Sequence, residues 1–216
     1  MHSKKTFIIG DVHGCLWELK SMIDKINWNP SKDRLIFIGD YIDRGEDPKG
    51  VVDFILELKK VSELVQCVMG NHEKMFLDYL SGINIQNFMM NGGRSTLRSY
   101  RDAMRNRDDE FVPSSHLDFF SSLLPLVELE KHYIVHAGFR PGILIEDQEL
   151  DDMIWIRDEF LYSDYDFGKI VIFGHSAFNS PLIMENKIGI DTGAVYGNFL
   201  TCIELPEMRY HSVKSR

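Results

Sequence analysis

Cysteine, basic charge and long hydrophobic runs are all scarce in this 216-residue chain. The three cysteines, Cys15, Cys67 and Cys202, are odd in number, far apart and outside any CxxC spacing. That excludes a disulfide framework and a thiolate zinc site, and the thiols read as reduced, in a cytoplasmic protein. Lys and Arg number 24 against 33 Asp and Glu, a formal charge of -9. No basic stripe offsets it, which argues against nucleic acid or an anionic membrane surface as a partner. An anionic substrate would have to be held by local positive charge, from a bound metal or a few arginines. The N-terminal MHSKKTFIIG offers a run of only four residues, Thr6 to Ile9, before Gly10. That is too short for a signal-peptide core or a membrane span, and no later segment is long enough either. With no internal repeat, low-complexity tract or Pro/Ser-rich linker, residues 1–216 are expected to form one domain with one insertion.

What is present alternates. Thr6 to Ile9 is a short β-rich run, and Trp17 to Ile26 places Trp17, Leu19, Met22, Ile23 and Ile26 at helical spacing. The pattern recurs as Arg34 to Ile38 followed by PKGVVDFILELKK, whose Pro48 suits a helix start, and as Leu64 to Met69 followed by HEKMFLDYL. Such βα units predict a parallel sheet with helices packed on it and a ligand off the carboxyl ends of its strands. Residues from about 84 to 124 read as a helical insertion, with helices over Thr96 to Arg107 and Ser115 to Leu124. Within it RDAMRNRDDE, Arg101 to Glu110, reads as a solvated helix face and its exit loop. From Pro125 onward the chain is strand-rich: Leu126 to Leu129, His132 to Ala137, Lys169 to Phe173, Pro181 to Met184, Lys187 to Asp191 and Asn198 to Leu205. Their short connections predict a mostly antiparallel second sheet, and the polar tail His211 to Arg216 is expected to fray. Two sheets face to face with helices outside make a four-layer α/β sandwich.

Three early βα turns carry metal-competent side chains: GDVHG (Gly10 to Gly14), GDYIDRG (Gly39 to Gly45) and GNHE (Gly70 to Glu73). In an extended segment positions i and i+2 face the same way, so Asp11 and His13 could chelate one ion. One DxH alone is as well explained by an aspartate cap beside a surface histidine; three loaded turns are not. His136 and His175 end two later apolar runs, where a second sheet would reach the first sheet's loops. His2, His116, His132 and His211 have no such setting. Carboxylate, imidazole and amide donors without thiolate suit Mn²⁺, Fe or Zn²⁺. Asp11, His13, Asp40, Asn71, His136 and His175 are too many for one ion, whereas two ions about 3.5–4 Å apart could share Asp40.

The order GDVHG, GDYIDRG, GNHE, HAG, GH resembles the phosphoprotein phosphatase family of dinuclear metallophosphoesterases, in particular its bacterial and phage lambda phosphatase-like branch. The resemblance spans Gly10 to His175. It implies an α/β/β/α calcineurin-like sandwich of two mixed sheets and two divalent metal ions, Mn²⁺ first, with Fe or Zn²⁺ as alternatives. By the same resemblance Asp11, His13 and Asp40 bind one ion, Asp40, Asn71, His136 and His175 the other, and water held between them is the nucleophile. His72 would be the general acid, oriented by Asp43. Arg44, Arg157 in IWIRDEF, and Asn71 would bind the substrate phosphate; the plainer account of Arg157 is a buried salt bridge with Asp158 or Glu159. NGGRST, Asn91 to Thr96, resembles a loop near the active site of that branch, where Arg94 could touch substrate, or Asn91 and the glycines could simply end one helix and begin the next. HAG stands where eukaryotic relatives have histidine-glycine-glycine, which leaves the ligand intact. No counterpart of their tyrosine-bearing loop is recognisable after Asp191 and Thr192.

The resemblance therefore implies a phosphatase for phosphoserine and phosphothreonine, with phosphotyrosine as a further substrate, in phosphorylated proteins or peptides. The alternative within enzymes is a symmetrical dinucleoside tetraphosphatase, whose sequences are similar but have alanine where Asp43 stands, or a promiscuous esterase for small phosphate esters or nucleotides. A silent phosphoprotein-binding scaffold would predict a broken ligand set, and none of the ligand positions is broken. A dinucleotide-binding protein is disfavoured because GDVHG lacks the GxGxxG pattern. Neither nucleic acid nor a membrane is expected as a partner.

Overall fold

The runs in TFII and RLIF are apolar at three successive positions, which a strand tolerates when both of its faces are covered. In the computed structural model, which describes residues 5–106 and 109–216, these are β1 (Thr6–Ile9) and β2 (Arg34–Phe37), paired in parallel with Phe7 beside Leu35. Helix α1 (Leu16–Ile26) lies between them, and α2 (Pro48–Val61), β3 (Val65–Cys67) and α3 (Asn71–Leu80) follow. The three expected βα units are thus present. Asp47 starts α2 by accepting from Gly50 N at 2.9 Å, and Pro48 needs no hydrogen-bond acceptor at the first helical position.

The insertion holds α4 (Ile85–Met90), α5 (Gly93–Ala103) and α6 (Ser114–Ser121). Helix α5 begins before the expected Thr96, because Gly92 turns the chain at φ 101°. It ends at Ala103, short of the expected Arg107; Arg107 and Asp108 of the mixed-charge segment, like the first four residues of MHSKKTFIIG, lie outside the described residues. Helix α6 stops before Leu124, whose backbone bridges Cys67 and Met69 instead. His116 holds the insertion down: its Nε2–H donates to Asp53 of α2 at 2.9 Å, and its Nδ1 accepts from Tyr100 of α5 at 2.8 Å.

The second sheet is formed by β4 (Leu126–Glu128), β5 (His132–Val135), β6 (Ile170–Phe173), β7 (Leu182–Ile183) and β8 (Lys187–Gly189), with α7 (Leu150–Trp155) and α8 (Asp158–Leu161) between β5 and β6. Its order is β4-β5-β6-β8-β7. The expected antiparallel sheet is found only at its edges; β5, β6 and β8 run parallel. The stretch from β5 to β6 contains two helices, which give the chain length to cross over and return in the same direction. The run Asn198 to Leu205 becomes β9 (Phe199–Leu205) and joins the first sheet, antiparallel to β1. Nor does the tail fray: β10 (Arg209–Lys214) pairs with β9, with buried Val213 beside Leu200. The first sheet therefore reads β10-β9-β1-β2-β3, and both sheets are mixed.

Period-two alternation separates the layers. Ile8, Ile36 and Ile203 of one sheet meet Ile134, Ile172 and Ile188 of the other. Phe7, Ile9, Leu35 and Phe37 face the opposite way, in one core with Leu19 and Met22 of α1 and Val51 and Ile55 of α2. Each of these fully buried side chains contributes about 1.5–3 kcal/mol. Tyr133, Val135, Val171 and Phe173 turn outward from the second sheet, with Met153 of α7 and Phe160 of α8 in the same cluster. The layering is helix, sheet, sheet, helix. Among the described residues no helix is long and apolar enough to cross a membrane.

Candidate active site

The motif residues follow directly on β1, β2, β3, β5 and β6, so parallel strands from both sheets deliver their loops to one edge of the sandwich. The loops meet closely. Gly39 has φ 108°, and a Cβ there would stand 2.8 Å from both Gly70 Cα and His136 Nδ1. Five non-glycine residues of these loops adopt positive φ: His13 (45°), Asp40 (52°), Asp43 (68°), Arg44 (67°) and His175 (62°). Each such conformation costs on the order of 1–3 kcal/mol and persists only when its surroundings enforce it. Glu73 is one enforcer. Fully buried, it accepts from the backbone N–H groups of Asp40 (2.9 Å), Tyr41 (2.8 Å), Ile42 (3.3 Å) and Gly70 (3.1 Å), locking the Asp40 loop onto the start of α3. GNHE drew attention for its Asn and His; the Glu at the third helical position, a capping residue, was the available signal for this role.

The side chains gather into two groups that share Asp40: His13, Asp40 and His72, and Asp40, His136 and His175, each with donor atoms within 4.8 Å of one another. Asn71 Oδ1 lies 3.0 Å from both His136 Nε2 and His175 Nδ1. His13 Nδ1–H donates to Ile42 O and His136 Nδ1–H to Ile38 O, each at 2.9 Å, which leaves both Nε2 lone pairs toward the site. The backbone from Asp11 to His13 is not extended in the way their spacing suggested. The left-handed turn at His13 sends its Nε2 to within 3.3 Å of Asp40 Oδ2, while Asp11 Oδ2 accepts from His175 N at 3.0 Å. Asp11 Oδ1, His72 Nε2 and His175 Nε2 are buried without a hydrogen-bond partner among the described residues. Buried polar atoms left in that state are costly unless a ligand or ion engages them. Clustered carboxylate, imidazole and amide donors fit hard or borderline divalent cations.

Electrostatics point the same way. Burial works to raise the Asp40 carboxyl, but the imidazoles of His136, His72 and His13 hold it well below the usual range. Burial, then the charges of Asp191 and Asp40, push Asp11 well up. Burial lowers His136 and, with His136 as its neighbour, takes His175 down to about 2. Neutral His136 and His175 beside an ionised Asp40 are in the protonation states in which such groups bind metal.

His72 and Asp43 form a separate, fully buried pair: His72 Nδ1–H donates to Asp43 Oδ2 at 2.6 Å. Asp43 Oδ1 in turn accepts from Thr96 Oγ1 at 2.5 Å, and Asp43 N donates to the same oxygen at 2.9 Å. Thr96, also fully buried, is thus what the NGGRST segment brings to the site. Arg94 is exposed, and Asn91 closes α4 by donating to Asn87 O at 2.8 Å. A lone threonine in a strongly polar helix carries little signal in the sequence.

Arg44 Nη1 donates to His13 Nε2 at 2.6 Å, and its guanidinium lies 5.8 Å from the ring centre of Tyr196. That tyrosine, on the segment after Thr192 where no tyrosine-bearing loop was recognised, is 64% exposed. Arg157 is exposed, and its Nη1 reaches Ser176 Oγ, next to His175, at 3.4 Å. Among the described residues it pairs with neither Asp158 nor Glu159; Glu159 pairs with Arg140. The buried salt bridge is therefore not formed.

An α/β/β/α sandwich that gathers paired metal sites at its strand ends, with guanidinium groups beside them, is a metal-dependent phosphoesterase. The chain belongs to the calcineurin-like phosphoesterase family, whose model matches residues 4–194. It is 25% identical to the asymmetrical bis(5'-nucleosyl)-tetraphosphatase PrpE of Bacillus anthracis, over 96% of this chain and 93% of the relative. The PrpE of Bacillus cereus matches to the same extent, 25% over 96% and 93%. Among solved structures, one provisionally assigned as a diadenosine tetraphosphatase superposes with a TM-score of 0.77 at 21% identity, covering 100% of this chain and 95% of that one. A cold-active protein tyrosine phosphatase superposes with a TM-score of 0.72 at 15% identity, covering 99% and 79%. At these identities the structures attest the fold alone.

Proposed function

We propose that this chain hydrolyses dinucleoside tetraphosphates. The similarity to PrpE over nearly the whole of both chains carries the substrate class, and the two clusters sharing Asp40 carry the reaction type. Asp11, His13 and Asp40 would hold one divalent ion, and Asp40, Asn71, His136 and His175 the other. Such a pair supplies Lewis-acid polarisation of phosphoryl oxygens and activation of water near neutral pH. Arg44 and Arg157, with Asn71, bind the phosphoryl oxygens. As an imidazolium, His72 donates its Nε2 proton to the departing oxygen and is left as the neutral Nδ1–H form, while Asp43 accepts from Nδ1–H, stabilising the imidazolium and fixing the ring orientation.

That pair also favours a second reading, hydrolysis of phosphoserine and phosphothreonine monoesters. A nucleotide leaves as a stable phosphate anion and needs little protonation, whereas a serine alkoxide needs a proton as it departs. A buried His72–Asp43 contact at 2.6 Å is suited to the harder task. The deciding assay compares kcat/KM of metal-restored protein on diadenosine tetraphosphate, a phosphoserine peptide and an aryl phosphate, with nucleotide products resolved by chromatography. The tetraphosphate is expected to be the best substrate. AMP plus ATP would mark asymmetrical cleavage; two ADP would mark the symmetrical kind. Turnover of the peptide without the tetraphosphate would establish the second reading instead, and turnover of neither would reject both.

Thr96 is a positioning residue in this scheme. Thr96→Val should lower kcat on an alkyl phosphate roughly ten- to hundredfold with little change in KM, since a hydrogen bond to a charged group contributes roughly 1.5–3 kcal/mol. Thr96→Ser, which keeps the hydroxyl, should restore most of the rate. A valine variant with full kcat would remove Thr96 from the mechanism.

A further inference from the structure

Trp17 occupies an apolar position of α1 and is nonetheless 41% exposed. It lines a trough of about 550 Å³ that adjoins the catalytic loops, with Gly14, Arg44 and Gly45 on the shared wall. That volume falls in the range of small-molecule sites, roughly 300–1,000 Å³. Four cations face it: Lys20, Arg44, Arg98 and Arg216. Among the described residues Lys20, Arg98 and Arg216 enter no ion pair. Three acids line it too, Glu18, Glu46 and Asp47; two of them are hydrogen-bonded. Glu18 Oε1 accepts from Ser215 Oγ and from Arg216 N, each at 3.1 Å. Asp47 Oδ1 accepts from Gly50 N at 2.9 Å and from Ser99 Oγ at 3.0 Å. In a chain of net charge -9, four cations against three acids make a local excess of positive charge.

The trough has a flat surface as well. The Arg216 guanidinium carbon lies over the Trp17 ring, 3.9 Å from its centre, a cation–π contact. Arg216 is held there by its own backbone bond to Glu18 and by Ser215 N donating to Asn198 O at 2.8 Å. A guanidinium on an indole forms a planar platform on which a nucleobase stacks, while guanidinium and ammonium groups nearby take phosphate oxygens.

We propose that this trough binds the far nucleotide arm of a dinucleoside tetraphosphate, its phosphates on Lys20, Arg98 and Arg216 and its base on the Trp17–Arg216 platform. The proposal rests on the tetraphosphatase reading and adds the location of the arm that does not react. Arg44 belongs to both the catalytic loops and the trough, so the phosphate chain runs past it from one to the other. A phosphopeptide has anionic groups for the cations but no base for the platform, and an aryl phosphate has neither a polyphosphate chain nor a second base.

The test is steady-state kinetics of wild type, Trp17→Ala, Arg98→Ala and Arg216→Ala on diadenosine tetraphosphate, a phosphoserine peptide and an aryl phosphate. In each variant KM for the tetraphosphate should rise about tenfold, as expected for loss of one stacking or charge-assisted contact. Activity on the aryl phosphate, which also reports correct folding, should stay within about twofold. Wild-type cleavage of the tetraphosphate with unchanged KM in all three variants overturns the subsite and leaves the tetraphosphatase reading standing. Equal losses on all substrates, or a rise in KM for the peptide alone, also overturn it. If wild type cleaves no tetraphosphate while it turns over the aryl phosphate, the reading itself fails, and the subsite with it.

Discussion

Asp40→Asn is expected to reduce turnover of every phosphate ester by more than about a thousandfold and to lower bound metal, measured by elemental analysis, from two ions to one or fewer per chain. Asp40 is the only residue in both donor groups. Burial opposes its charge, and three imidazoles hold the carboxylate ionised against that burial. Asparagine keeps the shape and an oxygen able to accept the His72 N–H, which lies 3.2 Å from Asp40 Oδ1. The loop geometry and the fold should therefore survive, to be checked by circular dichroism. What disappears is the negative charge that two cations would share. Full metal content with turnover within tenfold of wild type would show that Asp40 does not bridge.

His72→Asn should leave metal content unchanged and separate substrates by leaving group. On a phosphoserine peptide the rate should fall by about 10²–10⁴, the usual contribution of a positioned acid. On an aryl phosphate or diadenosine tetraphosphate it should fall by less than about tenfold. Geometry makes the outcome informative, because His72 also sits in a metal-competent group with His13 and Asp40, with Nε2 3.9 Å from Asp40 Oδ2. If His72 were a ligand, metal content and all three activities would fall together. Asp43→Ala should reproduce the substrate split in weaker form, since it frees the imidazole from its 2.6 Å partner without removing it.

These expectations could be framed because much of the site was legible in the chain. GDVHG, GDYIDRG, GNHE and the two strand-end histidines each pair a metal-competent side chain with an abrupt end to an apolar run, and each falls at the edge where the strands terminate. The βα periodicity was equally plain, since helix and strand repeats differ and Pro48 and Asp47 mark a helix start. The errors share a cause. Strand direction in the second sheet, the assignment of β9 to the first sheet and the pairing of the tail as β10 all depend on which strands become neighbours. Apolar runs of similar length and composition carry almost no information about that choice.

The sequence by itself determined the alternating elements, the inventory of metal-competent side chains and their placement at strand ends, because periodicity and turn residues are local properties. Tertiary structure alone decided that His13 turns back toward Asp40 while Asp11 passes under His175, that Glu73 clamps the Asp40 loop, and that Thr96 reaches Asp43 across 53 positions of chain. It also decided that Trp17 and Arg216, at opposite ends of the chain, meet beside the catalytic loops. Left-handed backbone at non-glycine residues and contacts between distant segments become stable only in a packed interior that makes every alternative more costly, and no local pattern records that comparison.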